Sequence, residues 1–184
     1  GSDVHSLNRD ALGLSSRDIA KTFFYAFIYG AGDQKLGKIL GGGAKRGKQG
    51  RTALLSGVSG LMELTEKVKQ VFRRRGHLIG LDGRKLHIRS EHSALNTLLQ
   101  SAGAILMKKA LILLDERLKK HYKEGDYEFV ANIHDEFQIE VKEEYAEEIA
   151  SHAAESIHRA GQYFEFGCPL SATSHIGKTW AETH

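Results

Sequence analysis

Cysteine occurs once, at Cys168, and proline once, at Pro169, in a chain of 184 residues. A single thiol rules out a disulfide framework within the chain and fits a reducing compartment, so a cytoplasmic location is expected. None of the ten histidines pairs with cysteine at zinc-finger spacing, which excludes a structural zinc site of that kind. No apolar run approaches the ~20 residues of a membrane span, and no signal-peptide pattern opens the chain, so no membrane partner is expected. Neither sign of charge dominates. The 26 Lys and Arg against 23 Asp and Glu leave a formal net charge of +3, too small to imply a polyanion partner unless the cations cluster. There is no initiator methionine, and Gly1-Ser2 reads as a cloning remnant, so a longer parent is expected. What remains, 41% apolar and 27% charged residues, is ordinary globular composition, enough for one modest domain or two small subdomains.

Helix signals dominate the front of the chain. From Asp3 to Leu40 the text is helical, with one helix from Arg17 to about Tyr29. Ser15 and Ser16 offer caps, and Asp18 stands three residues after Ser15 as a capping-box acid. Gly30-Ala31-Gly32 breaks that helix, and the glycine-rich basic stretch from Gly41 to Arg51 predicts a loop or helix junction. A further helix is predicted from Val58 to Phe72, ended by Arg73-Arg74-Arg75-Gly76. His77 to Leu81 and Arg84 to Ile88 flank Asp82-Gly83, the strongest hairpin signal in the sequence. Apolar residues at helical spacing predict a long helix from Ala94 to Lys120. Two short strands follow, Phe129 to Ile133 and Phe137 to Val141, around His134-Asp135-Glu136, and then a helix from Tyr145 to Phe164. The pattern is α+β, with a helical front part and a mixed back part divided near residues 72–80.

Two places carry chemistry. Arg17, Lys21, Tyr25 and Tyr29 lie four apart and cover a ~120° face of their helix, with Ile19, Ala20, Phe23, Phe24 and Phe27 on the other side. Such a face is either a solvated surface or a grip for a polyphosphate, and the pattern alone leaves both open. Adjacent acids at the tip of a hairpin repel each other unless a cation sits there, and Mg²⁺ takes one or two carboxylates plus phosphate oxygens. A plain polar turn is the alternative.

Together the two places resemble motifs of family A DNA polymerases. Arg17-Asp18-Ile19-Ala20-Lys21 with Tyr25 and Tyr29-Gly30 is similar to that family's fingers-helix motif, and Ile133-His134-Asp135-Glu136 resembles the third palm motif. Asp3-Val4-His5-Ser6, Tyr29-Gly30-Ala31-Gly32-Asp33, Leu81-Asp82-Gly83-Arg84-Lys85, the run from Ala94 to Ala104 and the ending Gly177 to His184 all look like replicative polymerases of short-tailed bacteriophages. The resemblance implies a mainly helical fingers subdomain over residues 1–76, with its nucleotide-binding helix at 17–29. It also implies the C-terminal part of an antiparallel-sheet palm with flanking helices over 77–184, with the motif hairpin at 129–141.

The resemblance also implies roles. Asp135 would be a metal ligand with Glu136 in support, serving two Mg²⁺ ions in the assembled enzyme. Arg17, Lys21 and His5 would bind the triphosphate of the incoming nucleotide, and Lys21 would protonate pyrophosphate. Tyr25 would sense the 3′ side of the sugar, tyrosine there being linked in the family to accepting dideoxynucleotides, and Tyr29 would stack near the templating base. Asn96 and Gln100, joined by His92, would test minor-groove acceptors, which sit alike on every base pair. Gly32, Arg84 and His134 complete the implied DNA contacts. Basic groups at Lys45, Arg46, Lys48, Arg51, Arg73–Arg75, Arg84, Lys85 and Arg89 fit duplex phosphates.

The family's first palm carboxylate motif should precede Asp3, and thumb and exonuclease segments have no counterpart in this sequence. Two-metal catalysis clamps the attacking and leaving oxygens between ions ~3.5–4 Å apart, more than one turn can hold. The expectation is therefore the C-terminal part of a DNA polymerase working on primer-template DNA and dNTP with an N-terminal fragment, from a split gene or a truncation. A non-catalytic duplex-binding remnant and a single-subunit RNA polymerase fragment are the alternatives. Keeping Arg17, Lys21 and Asp135 together argues against the remnant. Glu136 and the Asn96/Gln100 pair argue against RNA synthesis.

Overall fold

The computed structural model describes residues 4–183, and side chains from Ser6 onward. It is mostly helical, with two small antiparallel sheets of two strands each. The chain forms two compact units, one ending at Leu99 and the other beginning at Gln100.

The first unit holds α1 (Val4–Leu12), α2 (Arg17–Ile28), α3 (Asp33–Ile39), α4 (Ala44–Gly57), α5 (Leu61–Arg75), β1 (His77–Ile79) and β2 (Lys85–His87). Ser16 rather than Ser15 starts α2: its backbone is extended and its Oγ accepts the Ile19 N–H at 3.3 Å. Asp18 therefore sits in the first turn beside the positive end of the helix dipole instead of closing a capping box. Phe23 and Phe27 are buried against Leu36 and Leu54, and Ala20 is buried too, whereas Ile19, expected on the apolar side, is 40% exposed. Each fully buried side chain of this size stabilises the fold by about 1.5–3 kcal/mol, so this core anchors α2.

In the glycine-rich stretch, Gly41–Gly43 form the junction between α3 and α4, and from Ala44 onward the chain is helix rather than loop. α4 runs through Gly47 and Gly50, and both are buried. A Cβ on Gly37 would lie 2.0 Å from the Gly43 carbonyl oxygen, and one on Gly50 would lie 2.8 Å from Cζ of Phe23. Glycine costs a helix about 1 kcal/mol against alanine, and here the cost is offset by backbone-to-backbone approach of α3 and α4. The next helix also starts later than its apolar pattern suggests. Val58 caps α4, and Gly60, at φ 78°, turns the chain into α5. Gly76, at φ 72°, closes α5 by donating its N–H to the Phe72 carbonyl. The β1–β2 hairpin pairs His77 with His87 and Ile79 with Lys85, with Gly83 at φ 79° in its turn. Leu78 joins Val68, Ala94 and Leu95 in a second core.

The long helix α6 (Ala94–His121) is followed by β3 (Tyr127–Ile133), β4 (Glu136–Val141) and α7 (Ala146–Tyr163). By length and composition alone the Glu91–His121 stretch could cross a membrane, contrary to the expectation from apolar runs. Part of one face packs within its own unit, with Leu114 and Leu118 buried beside Ile149 and Leu106 and Ala110 beside Ala160, while Leu99 and Ile112 are exposed. β3 and β4 pair from Tyr127–Val141 to Ile133–Glu136. A register shift between Phe129 and Ala131 turns Val130 outward, where it is 57% exposed.

Candidate functional sites

With Phe23 and Phe27 fixed in the core, α2 turns Arg17, Lys21 and Tyr25 outward, and Tyr29 caps its C-terminus; all four are exposed. Lys21 makes no ion pair among the described residues, so its charge is available to a ligand. The helix stops because Gly30 adopts φ 76°, letting Ala31 donate back to the Ala26 carbonyl at 2.9 Å. That turn carries the chain against the segment before α6, where a Cβ on Gly30 would lie 3.5 Å from the His92 carbonyl oxygen.

Between these segments runs a groove of about 490 Å³, lined among others by Gly30, Gly32, Arg51, Lys69, His92 and Asn96. Arg51 holds one wall in place. It donates to Asp33 Oδ1 at 2.7 Å and to the Ala31 carbonyl at 2.8 Å, and it lies over the Phe27 ring. Outside the groove's lining, Arg73 ties α5 to the segment before α6, donating two bonds to Glu91 at 2.8 and 2.5 Å and one to Glu66 at 3.1 Å. The hydrogen bond from Arg73 keeps the Glu91 carboxyl below its ordinary range, against a smaller burial effect, with the charges of Arg73, Lys69 and His92 adding. Asn96 lines the groove while its Nδ2 is shielded from solvent without a hydrogen-bond partner. A native fold rarely leaves such a donor unmet unless water or a ligand meets it.

In the second unit, Ile133 pairs with Glu136, so His134 and Asp135 alone form the turn. His134 is at φ 53°, in the left-handed region that favours glycine. A non-glycine residue there costs on the order of 1–3 kcal/mol, strain of the kind that collects at functional sites. Both turn residues are exposed, and Glu136 is half-buried, accepting from Gln138 Nε2 at 3.1 Å. Among the described residues no cluster of three or more His, Cys, Asp or Glu is arranged to hold a metal. The turn by itself therefore forms no self-contained metal site among the described residues.

The sequence profile of DNA polymerase family A matches residues 1–182. The chain belongs to DNA polymerase family A. It is 40% identical over 201 residues to a DNA-directed DNA polymerase of Enterobacteria phage T3 and 39% identical to that of Escherichia phage T7, covering 99% of this chain in both cases. It spans 29% of the length of each of these relatives. Its fold is similar to the POL domain of Pol1 from M. smegmatis, solved in complex with DNA primer-template and dNTP. That likeness has a TM-score of 0.75 and 22% identity over 87% of this chain and 31% of that one.

Of the residues that the family A motifs single out, the structure brings Gly32, His92 and Asn96 into one groove and Arg17, Lys21, Tyr25 and Tyr29 onto one surface. Gln100 is exposed on α6, four residues beyond Asn96. Arg84 is ion-paired with Asp82 in the β1–β2 turn. The His5 side chain lies outside the described residues. Sequence reading missed Lys69 in the groove, because nothing in a run of alternating charges on a surface helix marks one lysine. It also counted Arg51 and Arg73 among phosphate contacts, whereas both are committed to acids of their own chain.

Proposed function

We propose that this chain supplies the nucleotide-gripping helix and one metal-binding carboxylate of a template-directed DNA polymerase, acting in the cytoplasm of a phage-infected bacterium. The observation that carries the reading is α2 itself, a family A motif whose cations and phenols face outward while its aromatic side is locked in the core. Residues 1–76 act as fingers and 77–184 as the later part of the palm. As in the M. smegmatis complex, the ligands are a primer-template and a dNTP.

Arg17 and Lys21, with His5, hold the triphosphate by charge, which is most of what phosphoryl transfer asks of a protein. The Lys21 ammonium then gives a proton to the departing pyrophosphate oxygen. Tyr25 faces the sugar and Tyr29 stacks on the templating base. Asn96 and Gln100, with His92, donate to minor-groove acceptors and so test pairing geometry without reading sequence. Gly32, Arg84 and His134 contact the DNA backbone. Asp135, flanked by Glu136, offers a carboxylate oxygen to magnesium. When bound, two Mg²⁺ ions polarise the reacting phosphoryl group and stabilise the attacking and leaving oxygens. The remaining palm carboxylate and the thumb come from a separate N-terminal polymerase fragment.

Primer extension tests this directly. The chain alone gives none. Mixed with a fragment bearing the family's first palm carboxylate, it gives Mg²⁺-dependent extension. A complex that forms yet stays inactive contradicts the reading and leaves a duplex-binding module in its place.

A further inference from the structure

The β1–β2 hairpin places two histidines opposite each other. His77 pairs with His87, Leu78 with Leu86 and Ile79 with Lys85. Leu78 and Leu86 pack into the core with Val68 and Ala94, so the alternation of a strand sends His77 and His87 to the other face. The turn fixes how close they come. Gly80 donates its N–H to the Arg84 carbonyl at 2.9 Å, which makes Gly80 and Arg84 a hydrogen-bonded pair. Pair types alternate along an antiparallel ladder, so Leu78–Leu86 is hydrogen-bonded and His77–His87 is not. Non-hydrogen-bonded partners have the closer side chains, with Cα atoms about 4.5 Å apart.

One ring is already held in the form a metal needs. His77 Nδ1 lies 2.9 Å from the Arg75 carbonyl oxygen. A carbonyl only accepts, so Nδ1 carries the proton, and in the neutral ring the lone pair is on Nε2. Metal-binding histidines are commonly oriented in this way, by donating the second ring nitrogen to a carbonyl. The His87 side chain is exposed and makes no hydrogen bond or ion pair among the described residues. Other neighbouring histidines are committed. His121 and His152 have ring centroids 6.3 Å apart, but the His152 side chain is only 12% exposed and its Nε2 faces Glu148 Oε1 at 3.6 Å. Both ring nitrogens of His158 are engaged, by the Leu170 carbonyl and by Gln162.

We infer that His77 and His87 form a two-nitrogen site for a borderline divalent transition-metal ion such as Cu²⁺ or Zn²⁺. Imidazole suits these ions, at Zn–N distances of about 2.0–2.1 Å, whereas Mg²⁺ takes oxygen. No third His, Cys, Asp or Glu joins the pair among the described residues, and Lys85 shares its face. Water therefore fills the remaining positions, and the site is a surface chelate. The ion ties β1 to β2 at the open end of a hairpin whose strands have three residues each, a sheet too small to be stable alone. The site is independent of the polymerase reading and takes a different class of ion from the Mg²⁺ which that reading brings to Asp135.

The test is pulsed electron paramagnetic resonance of the whole chain titrated with Cu²⁺ in a large excess of Mg²⁺. In the unaltered chain the first Cu²⁺ should show two imidazole nitrogens. H77Q and H87Q should each reduce them to one and weaken the first site at least ~tenfold, since losing even an outer partner costs a metal site roughly 10–100-fold. H121Q/H152Q should leave the first site as it was. Substoichiometric Cu²⁺ should also broaden the backbone amide resonances of residues 76–79 and 85–88 before any others, a readout on the unaltered chain that does not depend on how a variant folds. Two nitrogens and unchanged affinity in either single variant overturn the proposal. So do loss of the first site in H121Q/H152Q, displacement of Cu²⁺ by the excess Mg²⁺, and first broadening elsewhere in the chain. Primer extension plays no part in these readouts, so this site and the polymerase reading can fail separately.

Discussion

Gly47 touches the backbone of Asp33: a Cβ at this position would sit 1.9 Å from the Asp33 carbonyl oxygen. The contact fixes α3 against α4 and, through Arg51 and Asp33, the loop that follows α2. Gly47→Ala gains about 1 kcal/mol of helix propensity but forces two backbones apart, and overpacking of this kind costs about 1–3 kcal/mol or more. The clash is with backbone rather than a flexible side chain, so the cost wins. The variant should unfold at a lower temperature or fail to fold. Gly103→Ala, in a helix with nothing within 4 Å of its added methyl, should gain roughly 0.5–1 kcal/mol. Thermal melts of both variants check the contrast, and a stabilised Gly47→Ala would contradict it.

The same contact explains what could and could not be read in advance. α2, α6, α7 and both hairpins follow from apolar spacing and turn residues, because those elements bury a periodic face. α4 did not, because propensity treats Gly47 and Gly50 as breakers while the fold uses them as points of close approach. α2 and the Asp135 turn were legible because their residues lie close together in sequence. The groove was legible only in part. Gly32, His92 and Asn96 belong to motifs, but Lys69 and the Arg51 and Arg73 struts join segments far apart in the chain, and no spacing rule reports that.

The Arg73–Glu91 pair makes stability depend on pH in a stated direction. Glu91 ordinarily titrates near 4.5, and the hydrogen bond from Arg73 lowers it in the fold. A depressed acid stabilises the folded state above its unfolded pKa, and that contribution disappears as pH falls through the lower folded value. Arg73 is exposed and Glu91 only half-buried, so solvent screening keeps the effect small. In urea melts the unaltered chain should exceed Glu91→Gln by a fixed small margin from pH 7 to pH 5, and the two should converge below 4.5. A margin that persists at pH 3 would show that the pair contributes through packing and not through charge.

The measurement that bears most directly on the account is primer extension by the complemented enzyme carrying Asp135→Asn. Asp135 is exposed in its turn, so the change should leave the fold intact and duplex affinity within about twofold, as for an ordinary surface substitution. Removing one carboxylate from the metals should cut the extension rate by about a thousandfold or more, the equivalent of several kcal/mol of lost metal assistance. Extension lost with binding kept is the predicted result. Extension that survives at a comparable rate would contradict the assignment of Asp135 as a metal ligand and the polymerase mechanism built on it.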